Sequence, residues 1–234
     1  MEQKNMPTHI AIIMDGNRRW AKKRGLASNL GHKEGAKTLK KLCKHIEKLG
    51  IPYVSVFAFS TENFKRSEEE VNGLMNLFIT MFTNEFKFLL EDGVRVVFSG
   101  KRYPLPEQVL KAMDEMMEKS KNNTKYTFNI CLNYGGQDEM VDVIKKIATQ
   151  VQEGTLQISD IDCDTIEQNL YQQLPPIDLL IRTSGEYRIS NFMLWQMAYA
   201  EFYFTDVLFP DFDEKELDLA IQEYQKRNRR FGGA

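Results

Sequence analysis

The sequence predicts an α/β fold: a single domain with a mostly parallel central sheet flanked by helices. Three observations carry that prediction. Short apolar runs alternate with longer stretches of helical periodicity. The runs are near-continuously apolar, as strands covered on both faces are. Each interesting polar cluster falls at the carboxyl end of such a run, where open α/β sheets bind their ligands.

The elements follow in chain order. His9–Met14 (HIAIIM) is the first strand and runs straight into Asp15. In the helix that follows, Leu39, Leu42, Ile46 and Leu49 keep helical spacing and Gly50 stops it, while Ser28 or Asn29 stands where a cap belongs. Tyr53–Phe59 is the second strand. Glu68–Leu90 reads as one long helix, and an unusual one. Val71, Met75, Phe78, Phe82, Phe86 and Leu89 make one stripe, and Leu74, Leu77, Ile79, Met81, Phe88 and Leu90 cover much of the rest. A surface helix needs an apolar arc of only ~100°. This helix is therefore either sandwiched between two layers or lines an apolar cavity for a long greasy ligand.

Val94–Ser99 is the third strand, Pro106–Asn122 a helix, Tyr126–Leu132 the fourth strand and Gln137–Glu153 a helix. Asp178–Ile181 is the fifth strand, directly continued by Arg182, and Glu214–Arg229 is the last helix. Asn191–Phe204 is apolar apart from Gln196 and Glu201. A carboxylate embedded there needs a metal or an arginine as partner, unless it is exposed on a half-buried strand. No repeat, low-complexity run or linker interrupts the chain, so residues 1–234 read as one domain with 1–7 as a flexible tail.

Bulk properties narrow the function. A net charge of −2 gives no global pull toward nucleic acid or anionic membrane, so anion binding must come from local clusters. No apolar stretch approaches the ~20 residues of a membrane span. The opening MEQKNMP lacks the apolar core of a signal peptide, so a cytoplasmic location is expected. Cys43, Cys131 and Cys163 show neither disulfide nor zinc spacing and read as buried free thiols.

The clusters suggest phosphate chemistry. A lone Asp15 followed by Gly16, Asn17, Arg18 and Arg19 suits a divalent metal held between protein and phosphate. Mg²⁺ uses one or two carboxylates and completes its shell with water and phosphate oxygens, and Arg grips phosphate as a fork. A plain strand-to-helix turn with solvated arginines would give the same letters. SNLGHKEG places His32 and Lys33 at the start of a helix, an anion-prone position, although a surface histidine is equally compatible. The wider stretch Gly25–Lys33 slightly resembles a P-loop, but Gly25 and Gly31 are one residue too far apart and no Gly-Lys-Ser/Thr follows. RTSGEYRISNF supplies Arg182, Arg188 and Ser190 as a diphosphate cradle.

At this point the residues resemble a known family. MDGNRRWA, GHKEGA, FSTENFKRSEEEV, NYGG, IRTSGEYRISNFMLWQMAYAEFYFTDVLFPDF and a terminal RRFGG, ordered from His9 to Gly233, look like a cis-prenyltransferase of the bacterial undecaprenyl diphosphate synthase type. The resemblance implies an elongated hydrophobic tunnel, a homodimer and a requirement for Mg²⁺. It also implies sequential condensation of isopentenyl diphosphate onto an allylic diphosphate such as farnesyl diphosphate, giving a long cis-polyprenyl carrier for cell-wall synthesis. Paired DDxxD motifs are absent, as in that family.

Carried over by position, Asp15 handles Mg²⁺ and the diphosphates. Gly16, Asn17, Arg18, Arg19, Trp20 and His32 surround the allylic diphosphate. Ser60, Thr61, Glu62, Asn63, Phe64 and Arg66 form a loop over substrate, with Asn63 assigned to proton removal and a substrate diphosphate oxygen as the rival base. Glu70 steadies that loop. Arg182, Arg188, Ile189 and Ser190 bind isopentenyl diphosphate, and Glu201 reaches the metal, either within its own chain or from a partner subunit in the family's usual dimer. The terminal Arg230-Phe231-Gly232 can complete the partner's site. Ser28 stands where the family usually has Arg, which implies either Arg24 or Lys33 as a compensating cation or weaker binding of the allylic diphosphate. Arg18 replaces a more frequent Gly, Phe64 a Trp, and Tyr187 a metal-associated His.

Two rival readings fare worse. A haloacid-dehalogenase-type phosphohydrolase needs a second Asp where Asn17 stands, and a non-catalytic partner subunit would lack Asp15. Tyr126, Phe128 and Leu132 alternate onto one sheet face. If that face lines the tunnel, their bulk shortens the product. Release of so greasy a product implies peripheral membrane contact.

Overall fold

A computed structural model describes residues 5–227. The first residues of the expected tail and the terminal RRFGG lie outside the described residues. Six strands form one sheet in the order β3-β4-β2-β1-β5-β6, with every neighbouring pair parallel.

In chain order the elements are β1 (His9–Ile13), α1 (Asn17–Lys23), α2 (Ser28–Leu49), β2 (Tyr53–Ser60), α3 (Glu68–Thr80), α4 (Lys87–Glu91), β3 (Arg95–Ser99), α5 (Glu107–Ser120), β4 (Thr127–Tyr134), α6 (Gly136–Gln152), α7 (Cys163–Asn169), β5 (Leu179–Arg182), β6 (Glu201–Phe204) and α8 (Glu214–Lys226). The five expected strands are present within a residue or two. The sixth is the tail of the apolar Asn191–Phe204 stretch, whose first half is a series of turns.

Alternation along the strands splits the core into two layers. Ile10, Ile12, Val54, Val56, Phe128, Ile130 and Ile181 face α2, α3, α5 and α8. Ala11, Ile13, Cys131, Leu180, Phe192 and Met197 make the opposite layer. That second layer carries a polar chain across four strands. A carbonyl can only accept, so His9 Nδ1 carries the proton and donates to Pro175 O (2.8 Å). His9 Nε2 then accepts from Ser55 Oγ (2.8 Å), which accepts from Asn129 Nδ2 (3.0 Å), whose Oδ1 accepts from Ser99 Oγ (2.9 Å). Every buried donor in the row finds an acceptor, which is what makes burial tolerable.

Three expectations are corrected. The 68–90 stretch is not one helix. It passes through a π-helical turn at Met81–Glu85 and resumes only after Phe86 (φ −94°, ψ 9°). The wider turn re-aims the apolar stripe so that Phe78, Phe82 and Phe86 are all buried against the sheet layer. The cap of α2 is Ala27 with no side-chain cap bond, not Ser28 or Asn29. Cys43 and Cys131 are buried thiols as expected, but Cys163 is exposed, because it opens the short surface helix α7.

Candidate active site

A cavity of about 1170 Å³ opens between the sheet and α2–α3 at the carboxyl ends of the strands. Its walls change character along its length. One end carries Asp15, Arg18, Arg19, His32, Asn63, Arg66 and Arg182. The other is lined by Leu39, Leu74, Phe78, Phe82, Phe86 and Ile130. Phe98 and Phe128 close that end from behind, their rings edge-on to Phe82 (5.0 Å) and Phe86 (6.0 Å).

Asp15 is mounted rigidly. Its carbonyl accepts from Thr183 Oγ1 (2.7 Å) and Phe209 N (3.0 Å). The buried Arg182 donates through Nε (3.0 Å) and a terminal nitrogen (2.6 Å), both to Asp15 Oδ2. The other end of the same guanidinium bonds Ser190 Oγ (2.7 Å) and the Arg188 carbonyl. One buried cation thus ties the end of β1 to the loop after β5.

The turn from Asp15 into α1 depends on glycine. Gly16 sits at φ +106°, and a Cβ there would strike Ser184 Oγ at 2.1 Å. Gly31 and Gly35 do different work. A Cβ on Gly31 would lie 2.0 Å from the Asn17 carbonyl oxygen, and one on Gly35 2.1 Å from Asn17 Oδ1. They flatten one face of α2, and the start of α1 seats on it.

Glu70 spans the cavity mouth, pairing with Arg66 (2.9 Å) and with Arg18 on α1 (3.4 Å). His32 lies between them, with its Nε2 buried and without a hydrogen-bond partner. Burial, and then the nearby Arg66, pull its pKa down to about 4, so the ring is neutral at pH 7. Asn17 Oδ1 is likewise buried without a partner. The neutral His32 ring can present Nε2–H as a donor, and an unpaired buried donor beside a cluster of cations suits a polyanionic ligand, whereas Asn17 Oδ1 can only accept and adds nothing to such a site.

The Ser60–Arg66 segment is a 3₁₀ turn closed by a reciprocal cap in which Ser60 N donates to Asn63 Oδ1 (3.1 Å). Glu62 accepts from Asn191 Nδ2 (3.1 Å), fastening this turn to the Ser190–Asn191 loop. Burial opposes ionisation of Glu62, but hydrogen bonds from its own backbone, Asn191, Ser60 and Thr61 outweigh it and keep the carboxyl below its usual range.

Of the residues expected in the site, Asp15, Gly16, Asn17, Arg18, Arg19, His32, Ser60, Glu62, Asn63, Arg66, Arg182 and Ser190 line the cavity together. Trp20, Thr61, Phe64, Arg188 and Ile189 do not. Trp20 turns away, its Nε1 donating to Asp211 (2.7 Å) with Arg24 stacked on its ring. Thr61 donates to Asp138 (3.1 Å), Phe64 packs edge-on against Phe59, and Ile189 joins the second core layer. Arg188 is largely exposed and pairs with Glu186.

Glu201 is the clearest displacement. It pairs in register with Leu179 at the start of β5, whereas Asp15 lies two residues past Ile13, the partner of Arg182. The two carboxylates are roughly 15 Å apart along the strand direction and share no site within one chain. Glu201 instead accepts from Arg227 (2.7 Å), the arginine partner that a half-buried carboxylate calls for.

Neither cation considered as a substitute for the arginine missing at Ser28 lines the cavity. Arg24 is held by Trp20 and Asp211, and Lys33 is exposed. The α1 cations that do line it are Arg18, Arg19 and Lys22. Of the Tyr126, Phe128, Leu132 face, only the intervening Ile130 lines the cavity; the other three are buried behind it. Asn191 was missed. Its φ of +61° and its two bridging bonds, to Glu62 and to Gln137 N (2.8 Å), are features of fold rather than of sequence.

Comparison with known proteins agrees with this geometry. The family model described as "Putative undecaprenyl diphosphate synthase" matches residues 13–232. An isoprenyl transferase of Fusobacterium nucleatum is 51% identical over 99% of this chain and 98% of its own length. The ditrans,polycis-undecaprenyl-diphosphate synthase ((2E,6E)-farnesyl-diphosphate specific) of Pasteurella multocida is 44% identical over 100% and 98%. Among solved structures, lavandulyl diphosphate synthase from Lavandula x intermedia, in complex with dimethylallyl diphosphate, superposes with a TM-score of 0.94 at 39% identity, over 97% of this chain and 98% of that one. A probable undecaprenyl diphosphate synthase from Campylobacter jejuni gives 0.82 at 31%, over 97% and 99%.

Proposed function

Since the chain belongs to the undecaprenyl diphosphate synthase family of prenyltransferases, we propose that it condenses isopentenyl diphosphate repeatedly onto an allylic diphosphate, farnesyl diphosphate in the first instance, to build a long cis-polyprenyl diphosphate. The observation that carries this reading is one continuous cavity, cationic at the strand ends and aromatic at its floor. It matches an amphiphile with a diphosphate head and a growing hydrocarbon tail.

The residues divide the work. Arg18, Arg19, Arg66 and the neutral His32 hold the allylic diphosphate and stabilise the negative charge that builds as it leaves carbon. Arg182 and Ser190 take the second diphosphate. The apolar walls exclude water that would trap the allylic cation. Asn63 acts as a donor rather than a base: its amide oxygen is engaged by Ser60 N–H, which leaves the NH₂ group to face substrate. The proton lost from the newly joined unit therefore goes to a diphosphate oxygen of the substrate.

The donor set fits Mg²⁺. Among the described residues no three His, Cys, Asp or Glu side chains converge, and a lone carboxylate such as Asp15 is what a diphosphate-bound Mg²⁺ requires from protein. Asp15 would hold the ion, whose chemistry when bound is to neutralise diphosphate oxygens. β6 is one of the two edge strands, with Phe202 exposed on it and Tyr199 just before it, which supports a homodimer in which Glu201 of a second copy adds to the metal shell. No helix among the described residues is long and apolar enough to cross a membrane. This is compatible with a cytoplasmic protein that meets the bilayer only peripherally.

A shorter product is the second reading, favoured by the aromatic floor at Phe82 and Phe86. Incubation with labelled isopentenyl diphosphate, farnesyl diphosphate and Mg²⁺, beside Asp15→Ala, tests both. Long butanol-extractable chains, abolished by the substitution, are expected. Chains that stop after a few additions would select the shorter product, and no incorporation by folded protein with any primer would refute the activity.

A further inference from the structure

The corner between α1 and α2 carries features that catalysis leaves unused. Residues 22–30 are exposed without a break. Leu26 and Leu30, at 41% and 42% exposure, stand out from that run. Around them Lys22, Lys23 and Lys33 are exposed and pair with no carboxylate among the described residues, whereas Arg18, Arg19 and Arg24 of the same segment are taken up by Glu70, Glu186 and Asp211. The segment from Gly16 to Lys33 itself holds no Asp or Glu. Gly25, Leu26, Ala27 and Ser28 form the inner side of the same corner and line the cavity.

We propose that this corner is the surface by which the protein docks on an anionic lipid bilayer. The inference rests on the function proposed above, since that function makes a membrane the natural acceptor of what leaves the cavity. With Arg18, Arg19 and Arg24 neutralised by their partners, Lys22, Lys23 and Lys33 leave the corner net positive where a negative leaflet would attract it. The two leucines sit where shallow insertion beneath the headgroups would bury them. An apolar chain leaving the cavity over Leu26 would pass from protein wall to acyl chains without crossing water. The facing rim is acidic, with Glu68 and Glu69 exposed at the start of α3, so docking is one-sided: the α1–α2 corner leads and α3 stays toward water. Glu34 on α2 pairs with Lys37, and Asp211 is taken up by Arg24 and Trp20, so neither offsets the three lysines.

The test is vesicle co-sedimentation of the full chain without substrate. It compares phosphatidylcholine vesicles with vesicles in which about one lipid in four is phosphatidylglycerol, a fraction that gives a substantial negative surface potential. The expected result is salt-sensitive binding to the anionic vesicles and little to the neutral ones. Leu30→Ser with Lys23→Glu, neither of which lines the cavity, should weaken that binding about tenfold. Lys111→Glu, on exposed α5, should leave it unchanged. Elongation assayed in detergent should survive Leu30→Ser/Lys23→Glu, which shows that the variant is folded. Failure of wild-type elongation in that assay would count against the proposed function, not against docking, which is read without substrate. Equal binding to both vesicle types, equal loss with Lys111→Glu, or self-association abolished by Leu30→Ser in place of vesicle binding would each overturn the proposal.

Discussion

Replacing Asp15 by Asn strands a buried cation, and the structure sets the size of the effect. Arg182 is 3% exposed and places two N–H groups on one Asp15 oxygen, at 3.0 and 2.6 Å. At such contact the gross attraction is about 5 kcal/mol with an effective dielectric of 20. Breaking a fully buried pair costs about 3–5 kcal/mol, chiefly because the surviving charge is left unpaired. Asp15 itself is 38% exposed, so water replaces part of what is lost, and Asn still offers one acceptor of the same shape. A loss of about 2 kcal/mol in urea unfolding follows. That is small against the 5–15 kcal/mol of a typical domain, so the variant stays folded.

The same argument predicts a gain. With the carboxylate gone, Arg182 and the neighbouring arginines face the cavity without their nearest anion. Inorganic pyrophosphate, added without metal, should then bind Asp15→Asn about tenfold more tightly than wild type, as removal of one like charge a few ångströms from the ligand implies. Thermal-shift titration reads this directly through ligand linkage. Elongation should fall at least a hundredfold in the same protein. Equal pyrophosphate affinity in the two proteins, or unfolding of Asp15→Asn at the wild-type midpoint, would refute the reasoning: Arg182 would then be balanced by something other than Asp15.

Three further outcomes are expected. Burial, opposed by the Pro175 carbonyl and Asp178, pulls the His9 pKa from 6.5 to about 4; as pH falls through that window the unfolded chain takes a proton the folded chain refuses, so stability drops, by up to about 3 kcal/mol. His9→Gln should flatten that part of the urea-midpoint profile while lowering stability at pH 7, and an unchanged slope would show that His9 is not the group responsible. Phe86→Ala should cost about 3 kcal/mol and lengthen the products seen by chromatography, because it opens the floor toward Phe128; Tyr126→Ala leaves Phe86 in place and should move the distribution less. Gly31→Ala pushes a methyl onto the Asn17 carbonyl, so about 1–3 kcal/mol of stability and most of the elongation rate should go, and wild-type kinetics would show that α1 can shift at no cost.

How far the sequence reveals the site depends on whether a residue acts through its type or through its placement. Apolar runs that end in Asp15, Ser60 and Arg182 announce both the strands and their ligand-bearing ends, because in a parallel sheet all carboxyl ends lie at one edge and the polar residues that follow must meet there. Period and polarity carry that much. They do not carry side-chain direction. Trp20 stands two places beyond Arg18 in the same short helix, but α1 rotates it toward Asp211, where its indole N–H finds a carboxylate. Nor do they fix helix continuity: the stripe from Val71 to Leu89 fits one straight helix, and only packing against the sheet selects the extra residue of a π turn.

Glu201 shows the sharper limit. Its neighbours in sequence mark it as a carboxylate in need of a partner, which is correct, and the choice between metal and arginine depends on which end of β6 it occupies. Because β6 is parallel to β5, its first residue lies at the amino edge of the sheet, away from Asp15. Strand direction, a property of the whole topology, therefore decides the chemistry of one side chain. The same direction allows Glu201 to serve a metal only across a subunit boundary. Arg227, its present partner, is then the residue that dimer formation would have to displace. Arg227→Ala in a stable dimer should leave elongation intact or raise it, whereas a collapse of activity together with retained dimerisation would mean that Glu201 acts through Arg227 and not through a metal.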